Sequence, residues 1–167
     1  MISSDMVGFI IVFLISLLPT VEVRGSIPMV FILFRDSLSI AFGLAVAIVG
    51  NLVIAPIVLT ALKWIDSFIV GSRAIPTLLR DLYMKIIRYG RSKASKVNRY
   101  SIIGLAVFVA IPLPGTGAWT GSLVAYILGI DRRRALVAIE LGVIGASLIV
   151  SLASILGIEL VKRIFML

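Results

Sequence analysis

The sequence contains no cysteine and no histidine. Without cysteine there is no disulfide and no thiolate nucleophile, and without histidine there is no Ser–His–Asp triad or two-histidine zinc site. An enzyme built from this chain would have to work with carboxylates, lysine, tyrosine or a bound cofactor. No nucleophile lies in a recognisable pattern with a base, so we expect no enzymatic activity, no cofactor and no metal site.

Charge is also scarce, because only 14% of the 167 residues are charged and 60% are hydrophobic. Soluble domains are nearer 45–50% apolar, so the composition predicts an integral membrane protein with one membrane domain covering residues 1–167. The net charge of +8 could indicate nucleic-acid binding. The positive residues lie beside apolar runs, however, and we expect membrane lipids rather than nucleic acid as partners.

The first apolar runs are too short to cross a bilayer. Met6–Leu18 has 13 residues, about 20 Å as a helix, whereas the hydrocarbon core is about 30 Å thick. Ile27–Phe34 is shorter, and the polar segment Pro19–Pro28 (PTVEVRGSIP) separates the two runs. No basic residue precedes Met6 and no cleavage site follows, so the run is interpreted as mature structure rather than a signal peptide. Together the runs predict a re-entrant hairpin.

A long apolar segment follows the charged turn at Arg35. Leu38–Leu62 has 25 residues and is long enough to span with tilt. Asn51 and Pro56 interrupt it, and proline removes a helical hydrogen bond, so we expect a bend near Asn51. Between Lys63 and Tyr100, apolar residues from Ile75 recur every three or four positions. This spacing predicts an amphipathic connector helix lying at the membrane interface with its basic residues toward headgroups.

The same pattern then recurs about 93–97 residues later. A short apolar arm (102–111), a polar break (Pro112–Gly121, PLPGTGAWTG), a return arm (122–130), a charged turn and a 26-residue span (135–160) follow in that order. The prediction is therefore an all-α integral membrane protein with repeat one at 6–62, a connector at 63–100 and repeat two at 102–160. Each repeat is a re-entrant hairpin followed by one transmembrane helix.

The two repeats must be inverted in the membrane, because a hairpin plus one span crosses it an odd number of times. Nine of the sixteen Lys and Arg residues lie between Lys63 and Arg99, and Arg132–Arg134 add three. The positive-inside rule places these twelve in the cytoplasm. Both termini are then outside the cell membrane and residues 63–100 are cytoplasmic. Inverted repeats with broken helices are typical of secondary transporters.

Glu22 and Arg24 are the charges that this layout makes most informative. An ionisable group at membrane depth costs roughly 2.5–3.5 kcal/mol or more and usually faces a partner or a cavity. Glu22 could carry a coupling proton, and Arg24 could hold an anionic group such as phosphate. The alternative is a hairpin locked by structural polar contacts, with both side chains on one face of an extended tip.

The second break cannot be a regular helix. Pro114, Gly115, Thr116 and Gly117 expose backbone N–H groups, and a helix starting near Ala118 would point its dipole at the tip. Two such tips meeting near the midplane would form an anion site. The alternative is a tight turn that only reverses the chain.

Two further polar residues are candidates. Glu140 could carry a proton or pair with an arginine of the 132–134 turn, and Asn51 could cap broken backbone or touch substrate. Trp119 is interpreted as a packing or interfacial aromatic rather than a substrate clamp. Small residues four apart, among them Gly117 and Gly121, predict close helix packing and make a homodimer possible.

The segments EVRGSIP (22–28), VGN (49–51) and IPLPGTGAWTG (111–121) resemble the small multidrug export proteins, a family similar at a distance to the DedA and VTT-domain proteins. The resemblance implies two re-entrant loops meeting in the membrane. It also implies that Glu22 and Arg24 match the acidic and basic positions of the first loop, with Pro112–Gly117 as the second loop. Here the second loop carries no charge.

These observations together predict a transporter or flippase, proton-linked, that moves an anionic amphiphile such as a lipid-linked phosphate. The alternatives are a drug efflux protein and a membrane scaffold or assembly factor without transport.

Overall fold

The computed structural model describes residues 2–72, 75–94 and 100–165. Within these ranges the regular structure is entirely helical, which confirms the all-α prediction. Residues 73–74 and 95–99 of the predicted connector lie outside the described residues. The helices are α1 (Ile2–Leu17), α2 (Glu22–Leu33), α3 (Ser37–Leu52), α4 (Ile54–Gly71), α5 (Thr77–Ala94), α6 (Tyr100–Ala110), α7 (Ala118–Ile127) and α8 (Arg132–Phe165).

Among the described residues, two helical segments are long and apolar enough to cross a membrane, Ser37–Gly71 and Arg132–Leu160. The first comprises α3 and α4, which are separated at Val53. Pro56 has no N–H to donate to the Leu52 carbonyl, and α3 ends at that residue. The predicted interruption near Asn51 is therefore present. Residues 63–71 continue α4, and the amphipathic helix of the connector is α5.

Both long segments begin at a capping aspartate in a charged turn. Asp36 Oδ2 accepts a hydrogen bond from the Ser39 N–H at 2.8 Å, which satisfies one free N–H group of α3 and lowers the pKa of the Asp36 carboxyl. Asp131 Oδ2 accepts from the Arg133 N–H at 3.1 Å in the same way. The matching turns are consistent with the recurring sequence pattern.

The four remaining apolar helices are short. α1 and α2 have 16 and 12 residues, and α6 and α7 have 11 and 10. At 1.5 Å per residue these helices measure about 24, 18, 17 and 15 Å, less than the roughly 30 Å of a hydrocarbon core.

Packing between the helices is reciprocal. α1 lies along α3 and α6 lies along α8, so each first arm packs on the long helix of its own half. α2 packs against α8 and α7 packs against α4, so each return arm contacts the long helix of the other half. Gly121 and Gly142 both approach Val109, where an added Cβ would lie 2.6 Å from its side chain. The absence of a side chain at both glycines permits close helix packing, which the four-residue spacing of Gly117 and Gly121 predicts.

The outer surface is strongly apolar. Large side chains such as Leu141, Leu148 and Leu152 on α8 are 59%, 67% and 59% exposed. An uninterrupted apolar surface of this kind on a soluble monomer would be an association site. On a chain whose mean hydropathy is +1.18, it fits contact with lipid.

Candidate functional site: the junction of the two hairpin tips

The first tip, the turn between α1 and α2 at residues 18–21, is shorter than the polar segment Pro19–Pro28. α1 ends at Leu17 and α2 already begins at Glu22, so the extended tip considered in the structural alternative, with Glu22 and Arg24 on one face, does not form. Both residues lie in the first turn of α2, because only four residues are needed to reverse the chain. Thr20 and Glu22 have positive φ angles of 72° and 49°, an unfavourable conformation for residues other than glycine.

The second tip is a compact turn closed by its own threonine. The Thr116 hydroxyl lies 2.6 Å from the Ile111 carbonyl oxygen and 2.8 Å from that of Leu113. Gly115 has a φ of +84°, which a glycine adopts without strain. α7 begins at Ala118, at the position that the sequence predicts.

The Glu22 carboxylate lies between the two tips and caps α7. It accepts hydrogen bonds from the N–H groups of Ala118 and Trp119, both at 3.2 Å. The Glu22 side chain is 2% exposed. A carboxylate in this position satisfies two of the free N–H groups of α7 and lies at the positive end of its dipole. Gly117 is required here, because an added Cβ would overlap the Glu22 carboxylate.

Arg24 completes the contact between the tips. Its Nη1 lies 3.2 Å from Glu22 Oε2 and forms an ion pair with it. Its Nη2 donates to Thr116 Oγ1 at 2.8 Å and to the Ile111 carbonyl at 3.3 Å. Its buried Nε has no hydrogen-bond partner among the described residues. We call this cluster the hairpin junction: Glu22, Arg24, Thr116, Gly117 and the N–H groups of Ala118 and Trp119.

Two side chains from other helices cap the end of α1 next to the junction. The indole N–H of Trp119 donates to the Leu17 carbonyl at 3.1 Å, and Asn51 Nδ2 donates to the Ser16 carbonyl at 3.2 Å. Both carbonyls belong to the last turn of α1, which has no helical donors for them. The geometry of Asn51 is that of a backbone cap, although its buried Oδ1 has no hydrogen-bond partner in the part of the chain that the structure describes. For Trp119, this hydrogen bond is additional to the packing or interfacial role that the sequence predicts.

The remaining predicted site residues lie outside this network. Pro114 is exposed and Gly115 is half-buried beside the second turn. Glu140 is half-buried on α8. Among the residues that the structure describes, no ion pair joins Glu140 to the arginines of the 132–134 turn or to the hairpin junction.

A polar cluster that the sequence did not indicate connects the amphipathic helix to the second hairpin. The Tyr83 hydroxyl on α5 donates to Asp66 Oδ1 at 2.8 Å and lies 3.1 Å from the Tyr126 hydroxyl on α7. Burial raises the pKa of Tyr83, and its hydrogen bonds raise it further. These residues are 17 and 43 positions apart, so no local motif could reveal the cluster.

The described part of the chain contains no group of three or more His, Cys, Asp or Glu side chains that could hold a metal ion. The hairpin junction instead offers N–H donors and one guanidinium around a single carboxylate. The anion that these donors hold is the Glu22 carboxylate.

A family model described as "Putative small multi-drug export protein" matches residues 22–149. The match begins at Glu22 and includes every residue of the hairpin junction. The chain belongs to this family. Together with the two long apolar segments, this makes it a membrane protein. The more distant likeness to the DedA and VTT-domain proteins stays a prediction. No curated protein and no solved structure matched the chain in the same comparisons.

Proposed function

We propose that this protein is a membrane transporter whose substrate passes through the hairpin junction. The observation that carries the proposal is the buried Glu22 carboxylate, held by Arg24 and by two N–H groups of α7. These donors constitute an anion site that the protein fills with its own anion. A purely structural contact between the tips could use neutral side chains at a lower desolvation cost.

The lengths of the short helices support two re-entrant hairpins that enter from opposite faces. α1 and α6 together measure about 40 Å, close to the 40–45 Å of a whole bilayer, and their tips meet. The reciprocal packing of α2 on α8 and of α7 on α4 is what two inverted repeats would produce. In this topology both termini are outside and residues 63–100 are cytoplasmic.

The apolar face of α5 supports an interfacial connector. Four large apolar side chains share one side of the helix and are each more than half exposed: Leu78, Leu79, Leu82 and Ile86, at 79%, 56%, 55% and 51%. A helix with such a face and basic residues beside it lies in the interface plane of a membrane.

Glu22 is the residue that would connect transport to protons. A substrate anion can use the donors of the junction only when the Glu22 carboxylate does not occupy them. Protonation removes the charge of Glu22, which frees Arg24 and the N–H groups of Ala118 and Trp119. Substrate entry is then accompanied by proton uptake, and release of the anion restores the resting contact.

The substrate class follows from the charge at the site. Arg24 lies beside the only carboxylate of the junction, which favours an anion over a cation. We propose an anionic amphiphile such as a lipid-linked phosphate, with no catalytic step. Drug efflux is the second candidate, since the description of the family names multi-drug export. The third is a scaffold in which the junction is only structural.

The experiment that tests the proposal measures transbilayer movement in vesicles. The protein is reconstituted with a fluorescent short-chain prenyl phosphate, and an impermeant quencher reports the fraction of probe on the outer leaflet. Wild-type protein should move the probe faster at acidic than at alkaline pH. At equal amounts of folded protein, Arg24→Gln should slow it about tenfold or more, since a hydrogen bond to a charged group contributes about 1.5–3 kcal/mol. Glu22→Gln should also slow it and should lose the difference between acidic and alkaline pH, because an amide has no charge to regain when the anion is released.

Arg35→Gln is the matched control, because Arg35 is exposed and lies in a charged turn away from the junction. It should leave the rate unchanged. If a cationic dye moves and the prenyl phosphate does not, drug efflux replaces the anion proposal. If neither probe moves, or if Glu22→Gln and Arg24→Gln transport at the wild-type rate, the junction is structural.

A further inference from the structure

A groove of about 620 Å³ lies between α4 and the start of α8, away from the residues of the hairpin junction. Its wall is a stripe of apolar side chains along α4, closed on one side by an arginine. Six of its seven lining residues span positions 56–65 of α4, about 14 Å of helix. The groove is lined by Pro56, Ile57, Thr60, Ala61, Trp64, Ile65 and Arg132.

The guanidinium of Arg132 is fixed in the groove. One Nη donates to Thr60 Oγ1 at 2.8 Å, and the Thr60 hydroxyl donates in turn to the Pro56 carbonyl at 2.5 Å. Within the described part of the chain, the other N–H groups of Arg132 have no hydrogen-bond partner and the residue is exposed. Since a guanidinium has five donors in a planar fork, most of them can still bind an anion.

The surroundings of Arg132 add to its positive charge. Arg133 and Arg134 are exposed beside it. The one carboxylate of the turn, Asp131, accepts the N–H groups of those two arginines. Trp64 is 77% exposed at the groove, and tryptophan prefers the level of the lipid headgroups in a bilayer.

A second groove provides a contrast. It lies between α2 and α8 and has a volume of about 430 Å³. None of its lining residues is charged: they are Pro28, Phe31, Ile32, Ala153, Ser154, Gly157 and Ile158. Nothing in that groove selects one apolar occupant over another. The groove beside Arg132 combines an apolar wall with a hydrogen-bonded guanidinium, and this combination selects an occupant that is both apolar and anionic.

We propose that this groove binds an anionic phospholipid. The headgroup phosphate lies on Arg132, with Arg133 and Arg134 nearby, and one acyl chain lies along Ile57 and Ala61. The charge complementarity between phosphate and guanidinium selects anionic over zwitterionic lipid. This site is separate from the transport proposal, and lipid held here would position the start of α8 against α4.

Trp64 provides a direct reporter of the site. The chain has two tryptophans, so Trp119→Phe leaves Trp64 as the only fluorophore. The single-tryptophan protein is reconstituted into phosphatidylcholine vesicles that contain either brominated phosphatidylglycerol or brominated phosphatidylcholine at equal fractions. Quenching of Trp64 should show a preference for phosphatidylglycerol of about fivefold or more, since one basic residue near the surface contributes about that factor. Arg132→Gln should lower the ratio of quenching by phosphatidylglycerol to quenching by phosphatidylcholine about fivefold, and Arg35→Gln should leave this ratio unchanged.

Equal quenching by the two lipids, or a preference that Arg132→Gln leaves undiminished, would overturn the proposal. Weak quenching by both lipids that increases as the protein is diluted would also overturn it, because a second copy of the chain would then cover the groove. Native mass spectrometry of the protein with both tryptophans provides an independent measurement if Trp119→Phe does not fold. Wild type should retain phosphatidylglycerol over phosphatidylcholine, and Arg132→Gln should not.

Discussion

Removal of the charge of Arg24 is the perturbation whose cost follows most directly from the hairpin junction. In Arg24→Gln the Glu22 carboxylate, 2% exposed, loses its ion pair in a buried position. Loss of one partner of a buried pair costs about 3–5 kcal/mol. Glu22 keeps two backbone N–H donors at 3.2 Å, so we expect the lower end, about 3 kcal/mol.

The reverse change should cost less. Glu22→Gln leaves no buried charge without a partner, because Arg24 is 12% exposed and retains Thr116 and the Ile111 carbonyl. We expect a loss of about 1–3 kcal/mol from weakened hydrogen bonds to the N–H groups of α7. In the double variant the buried pair is replaced by two neutral amides. Its cost should fall short of the sum of the two single costs by at least about 1 kcal/mol.

The assay is reversible unfolding in mixed micelles, followed by tryptophan fluorescence, since Trp119 contacts the end of α1 beside the junction. Arg35→Gln serves as the surface control and should change stability by less than about 0.5 kcal/mol. Additive costs in the double variant, within about 0.3–0.5 kcal/mol, would refute the reasoning, because Glu22 and Arg24 would then not interact.

Two further predictions concern the close contact at Gly117 and the tyrosine cluster. Gly117→Ala should destabilise the protein by about 1–3 kcal/mol. The control Gly104→Ala lies in α6 with open space around it and should be neutral or stabilising by up to about 1 kcal/mol. Equal effects of the two substitutions in a thermal unfolding assay would contradict the overlap with Glu22. The pKa of Tyr83 is raised by burial, so the stability that it contributes is present below its ordinary pKa of about 10 and is lost as the pH rises toward its folded-state pKa. Comparison of unfolding at about pH 9 and pH 11 should therefore show a smaller alkaline loss in Tyr83→Phe than in wild type, and an unchanged loss would count against the cluster with Asp66.

The sequence predicts those features of the fold that depend on local pattern. Run length identifies the short arms and the two long segments. Pro56 predicts the interruption of the first long segment, and the glycines before Ala118 predict the start of α7. Each of these follows from a rule about neighbouring residues.

The sequence does not predict the partners across the tips. Glu22 and the N–H groups that it accepts from are 96 and 97 positions apart, and no pattern in one tip identifies its contact in the other. The start of α2 at Glu22 is not predicted either, because the polar residues of Pro19–Pro28 separate the two apolar runs and give no helical periodicity. The hydrogen bond from Trp119 to the end of α1 could be predicted only from the unsatisfied carbonyls of the last turn of α1.

Labelling of single cysteines in oriented sealed vesicles tests the central claim most directly, since the chain has no native cysteine. Thr20 and Pro114 are exposed at the two tips, and Ser37→Cys and Ser92→Cys mark the two sides. The account predicts that Thr20→Cys reacts with an impermeant reagent from the Ser37 side only, and Pro114→Cys from the Ser92 side only. Reaction of Thr20→Cys from the Ser92 side would show that α1 crosses the membrane, which contradicts a junction between opposed hairpins.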